Sequence, residues 1–201
     1  LNQDKFGGSA LYVQLSRNTE HWKSYIFYRN ITPEYQANVG FVVKNNRRWG
    51  TLFHEYQNFI NKKGLQFFSI GTKADVVYTF QDYLKAISID GIFAIKTFLN
   101  TTIEYTYDWD IFKNFLGKDY RNVGKSELTI QNNPSESFSL MIRTTFGRDL
   151  AYNEENPKIG REFSLFVMPS FQLGDKFNLS PSIRLALSLI HISEPTRLLS
   201  S

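Results

Sequence analysis

Apolar and polar residues alternate along much of this chain, most clearly between Leu65 and Asp110. In the segment from Leu99, one face carries Leu99, Thr101, Ile103, Tyr105, Tyr107 and Trp109, and the other carries Asn100, Thr102, Glu104, Thr106, Asp108 and Asp110. Side chains on a strand alternate with period two, so the pattern predicts a strand with one greasy and one wet face. Leu65–Phe80 repeats it, with Phe68, Ile70, Thr72, Ala74, Val76, Tyr78 and Phe80 in phase and Lys73, Asp75 and Thr79 opposite. In 83–96, Ile87, Ile89, Phe93 and Ile95 stand against Ser88, Asp90 and Lys96.

Further strands are predicted on either side. Leu11, Val13 and Leu15 share a face in 9–16. In 21–31, Trp22, Ile26 and Tyr28 oppose Lys23, Tyr25, Phe27 and Arg29, so the wet face is not clean. Residues 47–59 read as a strand of mixed character, and 124–131 as a short one. In 137–147, Phe138, Leu140, Ile142 and Phe146 oppose Ser137, Ser139, Arg143 and Thr145. Residues 161–173 and 177–185 follow, joined by the hairpin signal Gly174-Asp175-Lys176. Turns are expected at Asn61–Gly64, Gln81-Asp82 and Asn132–Ser135, and longer connections over 112–123 and 148–159. The count is about nine strands, and no stretch has a helical period.

This alternation fits an antiparallel up-and-down transmembrane β-barrel, and a half-buried soluble sheet starts from the same pattern. Composition shifts the balance. Aromatics make up 16% of residues, high for a soluble domain, yet no apolar run approaches the roughly 18 residues of a membrane helix. A barrel reconciles the two, because only alternate residues meet lipid. Strands of about 11 residues, rising about 3.4 Å each and tilted about 45°, span roughly 26 Å, the height of an outer-membrane apolar band. The chain has no cysteine, which excludes disulfides and thiolate metal sites. The net charge of +4 is scattered, without the basic stripe that nucleic-acid binding requires.

The stretch Ile31–Trp49 resembles a recurring element of one outer-membrane barrel family, "Pro-x-Phe-x-x-x-x-Gly-Phe-Val-x-Arg". The matching residues are Pro33, Tyr35, Gly40, Phe41, Val42 and Lys44, with Tyr for the usual Phe and Lys for the usual Arg. The Lys replacement loses any bidentate contact an Arg would make. Phe146-Gly147-Arg148-Asp149, Gly160 and Gly174-Asp175-Lys176 extend the resemblance over most of residues 8–186. The family is a domain-of-unknown-function barrel of Bacteroidetes-type envelopes, which follows a module resembling a family-nine carbohydrate-binding domain. The resemblance implies a bacterial outer-membrane location, with lipid and a glycan as partners; it supplies architecture and not a reaction, and no cofactor is expected.

The chain begins with Leu and carries no signal peptide, so an N-terminal part is expected upstream. Residues 187–197, Leu-Ser-Leu-Ile-His-Ile-Ser-Glu-Pro-Thr-Arg, resemble the in-frame translation of a transposase sequencing-library adapter. On that reading 1–186 is a partial C-terminal barrel domain, and 187–201, including His191, is a non-native read-through tail.

Candidate chemistry is sparse. Lys73, Asp75, Glu104 and Asp108 are the candidate lumen-facing binding residues, on what reads as a hydrated wall; Lys73 and Asp75, on a neighbouring strand, are expected to join Glu104, Asp108 and Asp110 across the lumen in a hydrated ion-pair ladder. Arg47 and Arg48 beside Trp49 fit an exposed strand end with an interfacial aromatic better than a contact to lipid phosphate or a sugar acid. Trp22, Tyr28, Tyr78, Phe80, Tyr107 and Trp109 fit an interfacial aromatic girdle better than a sugar-stacking platform. His21 and His54 lack ligand-spaced partners, and no nucleophile elbow, zinc-protease or phosphate-loop motif is present, so no catalytic or metal residue is named. The expected function is an outer-membrane barrel that anchors a sugar-binding module and holds or passes a glycan or small polar solute. A hydrolase acting on lipid or glycan in the barrel lumen, and a soluble carbohydrate-binding β-sandwich, are the alternatives.

Overall fold

The computed structural model describes residues 7–35, 45–62, 64–152, 157–174 and 177–188. These residues form strands and turns with no helix: β1 (Ala10–Asn18), β2 (Trp22–Ile31), β3 (Arg47–Lys62), β4 (Leu65–Tyr78), β5 (Leu84–Thr97), β6 (Thr101–Phe115), β7 (Lys118–Ser135), β8 (Phe138–Leu150), β9 (Ile159–Leu173), β10 (Phe177–Leu179) and β11 (Ile183–Ser188). They make one antiparallel up-and-down sheet in the order β1 to β10, with β11 also on β9. Among the described residues β1 pairs with β2 alone, so the sheet is open rather than closed.

Among the described residues the strand count is eleven where about nine were expected. One added break lies within the last predicted strand. β10 and β11 pair β9 in a single continuous register, Asn178 opposite Gln172 and Ile183 opposite Val167. Continuing that register puts Pro181 opposite Pro169, and neither proline has an N–H to give the ladder. β10 and β11 are therefore two halves of one interrupted strand. Leu187 and Ser188, from the suspected tail, continue the ladder of β11; the rest of that tail lies outside the described residues.

Two expected connections are strand instead. Residues 112–123 form a tight hairpin, because Leu116 and Gly117 both take positive φ (48° and 76°). Two successive positive φ values match the right-handed twist of the flanking strands, as in a type I′ turn. The Asn132–Ser135 segment stays in β7, with a register shift between Asn132 and Ser135 that accommodates Pro134. The Gly40-Phe41-Val42 element and Asp175-Lys176 lie outside the described residues.

Packing divides the chain into two compact units. In the first (Leu1–Phe59, Ser69–Ile92, Asp108–Asn122), β1, β2 and β3 build cross-strand rows. One face carries Val13–Tyr28–Gly50 and Leu15–Ile26–Leu52, and the other Tyr12–Arg29–Trp49, Gln14–Phe27–Thr51 and Ser16–Tyr25–Phe53. In the second (Ile60–Phe68, Phe93–Tyr107, Val123–Ser201), one face carries Ile130–Ile142–Val167–Ile183 and Leu128–Thr144–Leu165–Leu185. Its other face carries Thr129–Arg143–Phe166–Arg184 and Glu127–Thr145–Ser164–Ala186.

In both units large apolar side chains stay exposed while several polar ones are buried. Leu15, Ile26, Leu52, Ile70, Phe93, Tyr105, Tyr107, Phe163 and Leu185 are exposed, while Thr51, Gln57, Ser69, Thr79 and Ser126 are buried. The buried apolar side chains among the described residues are Ile31, Ala94, Val123, Leu150, Ala151 and Pro157. Burial of apolar area is the main favourable term in folding in water, so this apolar core is small for so many strands.

Candidate functional site

The polar faces of β3, β4 and β5 meet in the first unit around Asp75. Its Oδ1 accepts hydrogen bonds from the Trp49 indole (2.8 Å) and the Thr51 hydroxyl (2.5 Å). Its Oδ2 lies 3.3 Å from Lys73 Nζ, and the same ammonium reaches Asp90 Oδ2 at 2.6 Å. The aspartates are nearly buried and the lysine about one-third exposed, so the cluster is screened less than a surface pair. Both Asp75 oxygens are engaged, and Lys73 is shared by two carboxylates. That saturation fastens three neighbouring strands to one another.

Of the sequence-derived candidates, Lys73 and Asp75 are thus in contact. Lys73 also meets Asp90 on β5, the strand that the order places between β4 and β6. Glu104 is exposed on β6; Asp108, on the same strand, is half-buried. Asp110 instead pairs with Lys113 at 2.6 Å. Trp49 points to the polar face, opposite Arg48, and does not act as an exposed-face aromatic. The sequence reading missed its role, and that of Thr51, because Trp49 and Phe53 interrupt the polar alternation of β3.

Replacing Asp75 by alanine leaves the Trp49 and Thr51 donors without their acceptor and removes one of the two carboxylates on Lys73. We expect a loss of about 1–3 kcal/mol, read as a lower denaturation midpoint, with Asp75→Asn costing less because its carbonyl still accepts.

The apolar face ends in aromatic clusters. Trp22 stacks on His54 (4.9 Å between centroids) and tilts against Tyr56 (4.8 Å), while Ser24 Oγ lies 2.7 Å from His54 Nδ1. Towards the other end of β2 and β3, Tyr28, Gly50, Val76 and Tyr78 line a groove rimmed by Arg48 and Asp82. Arg48 pairs with Asp82, donates to the Thr79 carbonyl at 2.9 Å and covers the Phe80 ring. Of the six proposed girdle aromatics, five are exposed, and Phe80 lies beneath Arg48.

In the second unit Lys125 pairs with Asp149 at 2.6 Å, and Arg143 with Glu127 at 3.5 Å. His21 Nδ1 lies 3.1 Å from the Gln57 carbonyl oxygen. No group of three or more His, Asp or Glu side chains is placed to hold a metal ion among the described residues. Comparison with protein-family models, curated proteins and solved structures returned no match.

Proposed function

We propose that this chain is the membrane-embedded part of an outer-membrane β-barrel protein, one that anchors a sugar-binding module and holds or passes a glycan or other small polar solute. The observation that carries the membrane part is the division of the faces: aliphatic and aromatic rows stay exposed, while Lys73, Asp75, Asp90, Thr51 and Trp49 satisfy one another on the opposite face. In a bilayer the first face meets lipid and the second lines a watery lumen. A soluble sandwich needs a second layer over the Tyr105 and Tyr107 face, and both rings remain exposed.

Strand length supports the same reading. β3 to β9 have 13–18 residues. At a tilt of about 45° they rise roughly 31–43 Å, enough to cross an apolar band of about 25 Å and extend beyond it as hairpins. Closure into a barrel belongs to the proposal, since hydrocarbon does not tolerate an unpaired edge such as that of β1. The carbohydrate association rests on the family resemblance described above. The test is the environment of the three tryptophans in lipid vesicles. Acyl-chain quenchers are expected to reach Trp22 and Trp109 and to spare Trp49; quenching of Trp49 alone, or of none, contradicts the proposal.

A further inference from the structure

The polar face of the second unit contains an arrangement that a hydrated wall does not require. The register of β8, β9 and β11 sets Phe166 directly between Arg143 and Arg184. The next row places Thr145 and Ser164 side by side, with Glu127 beyond Thr145. Together with Lys125 and Glu162 these residues line a cavity of about 340 Å³, which lies in the range of small-ligand sites. Lys125 is held by Asp149, and Arg143 is in a loose, half-exposed pair with Glu127. Arg184 is exposed and makes no ion pair among the described residues.

The donor and acceptor inventory narrows what can bind. Guanidinium groups only donate hydrogen bonds, and carboxylates only accept them. A bare anion satisfies the arginines but is repelled by Glu127 and Glu162. A neutral sugar satisfies the carboxylates but leaves Arg184 without a counter-charge. Phe166 adds a flat apolar surface suited to the C–H face of a pyranose ring. We infer that this cavity is a subsite for an acidic saccharide. The sugar ring lies on Phe166, its carboxylate meets Arg184 and Arg143, and its hydroxyls reach Thr145, Ser164 and Glu127. This inference names the solute class for the lumen proposed above and rests on that reading only for how the site is reached.

The experiment is calorimetric titration of the full chain, folded in detergent micelles, with trigalacturonate and with the neutral trisaccharide maltotriose. Trigalacturonate is expected to bind more tightly than maltotriose. Arg184→Gln, a change at an exposed edge-strand position, is expected to weaken trigalacturonate binding about tenfold or more without altering the β-sheet circular dichroism. Phe166→Leu, which keeps an apolar side chain but removes the aromatic ring, is expected to weaken both sugars. Equal binding of the two trisaccharides, no binding by the folded protein, or unchanged affinity in Arg184→Gln overturns the inference. A chain that is monodisperse without detergent and still binds trigalacturonate overturns the membrane proposal while leaving the subsite intact.

Discussion

Replacing Gly147 by alanine is expected to cost about 3 kcal/mol or more, a large part of the 5–15 kcal/mol that holds a typical domain together. Gly147 sits within β8 with φ of 147°, where a side chain is strained. A Cβ there falls 2.5 Å from Lys125 Cα and 2.6 Å from the Gly124 carbonyl oxygen. Both are backbone atoms of the paired strand β7, so no side-chain rotation relieves the clash. The strands must separate where Lys125 and Asp149 pair. Gly91, on the exposed face of β5, is the control: a Cβ there meets nothing within 4 Å, and Gly91→Ala is expected to stay within about 0.5 kcal/mol. Denaturation midpoints of the two variants in one micelle system give the comparison, and equal midpoints contradict the strand approach at Gly147.

Arginine in place of Ile70 is expected to separate a lipid-facing from a water-facing surface by magnitude alone. Ile70 is 57% exposed near the middle of β4, on the face of Thr72 and Tyr78. On a surface facing water such a change stays within about 0.5 kcal/mol. On the lipid face of a barrel near the bilayer midplane it costs about 2–4 kcal/mol. We expect the larger cost when folding is measured into vesicles. Leu116→Arg, at the exposed β6–β7 turn, is expected to cost about 1 kcal/mol or less, as at a bilayer interface or in water. An Ile70→Arg variant as stable as the parent in vesicles removes this face from the lipid.

Much of the fold was legible from alternation. The faces expected for β4, β5 and β8 agree with the observed exposure: Ile70, Tyr78, Ile89, Phe93 and Phe146 lie on the exposed side. Turns at Asn61, Gly64 and Asp82 announced themselves because these residues accept the positive φ they adopt. Leu116 gave no such signal, since leucine rarely takes that conformation, and so the hairpin at 116–117 read as a loop. Pro134 read as a turn residue because a bulge that tolerates it depends on the partner strand, which local sequence does not contain.

The site was legible only in part, for the same reason. Period-two spacing puts Lys73 and Asp75 on one face and Asp90 on the wet face of the next strand. That Lys73 reaches Asp90 follows from strand order, a non-local property. The row Arg143–Phe166–Arg184 likewise depends on the register of β8, β9 and β11, which alternation within each strand leaves undetermined.

The orientation of the two faces toward lipid is the central claim, and the three tryptophans report on it separately. Trp22 and Trp109 are exposed, whereas the Trp49 indole donates to Asp75 on the polar face. The measurement is fluorescence quenching by phosphatidylcholine brominated along its acyl chains, using variants that each retain one tryptophan and carry phenylalanine at the other two positions. The account predicts strong quenching of Trp22 and Trp109 and little of Trp49. Quenching of Trp49 with Trp22 and Trp109 spared, or no quenching of any of the three in vesicles containing the folded protein, contradicts it.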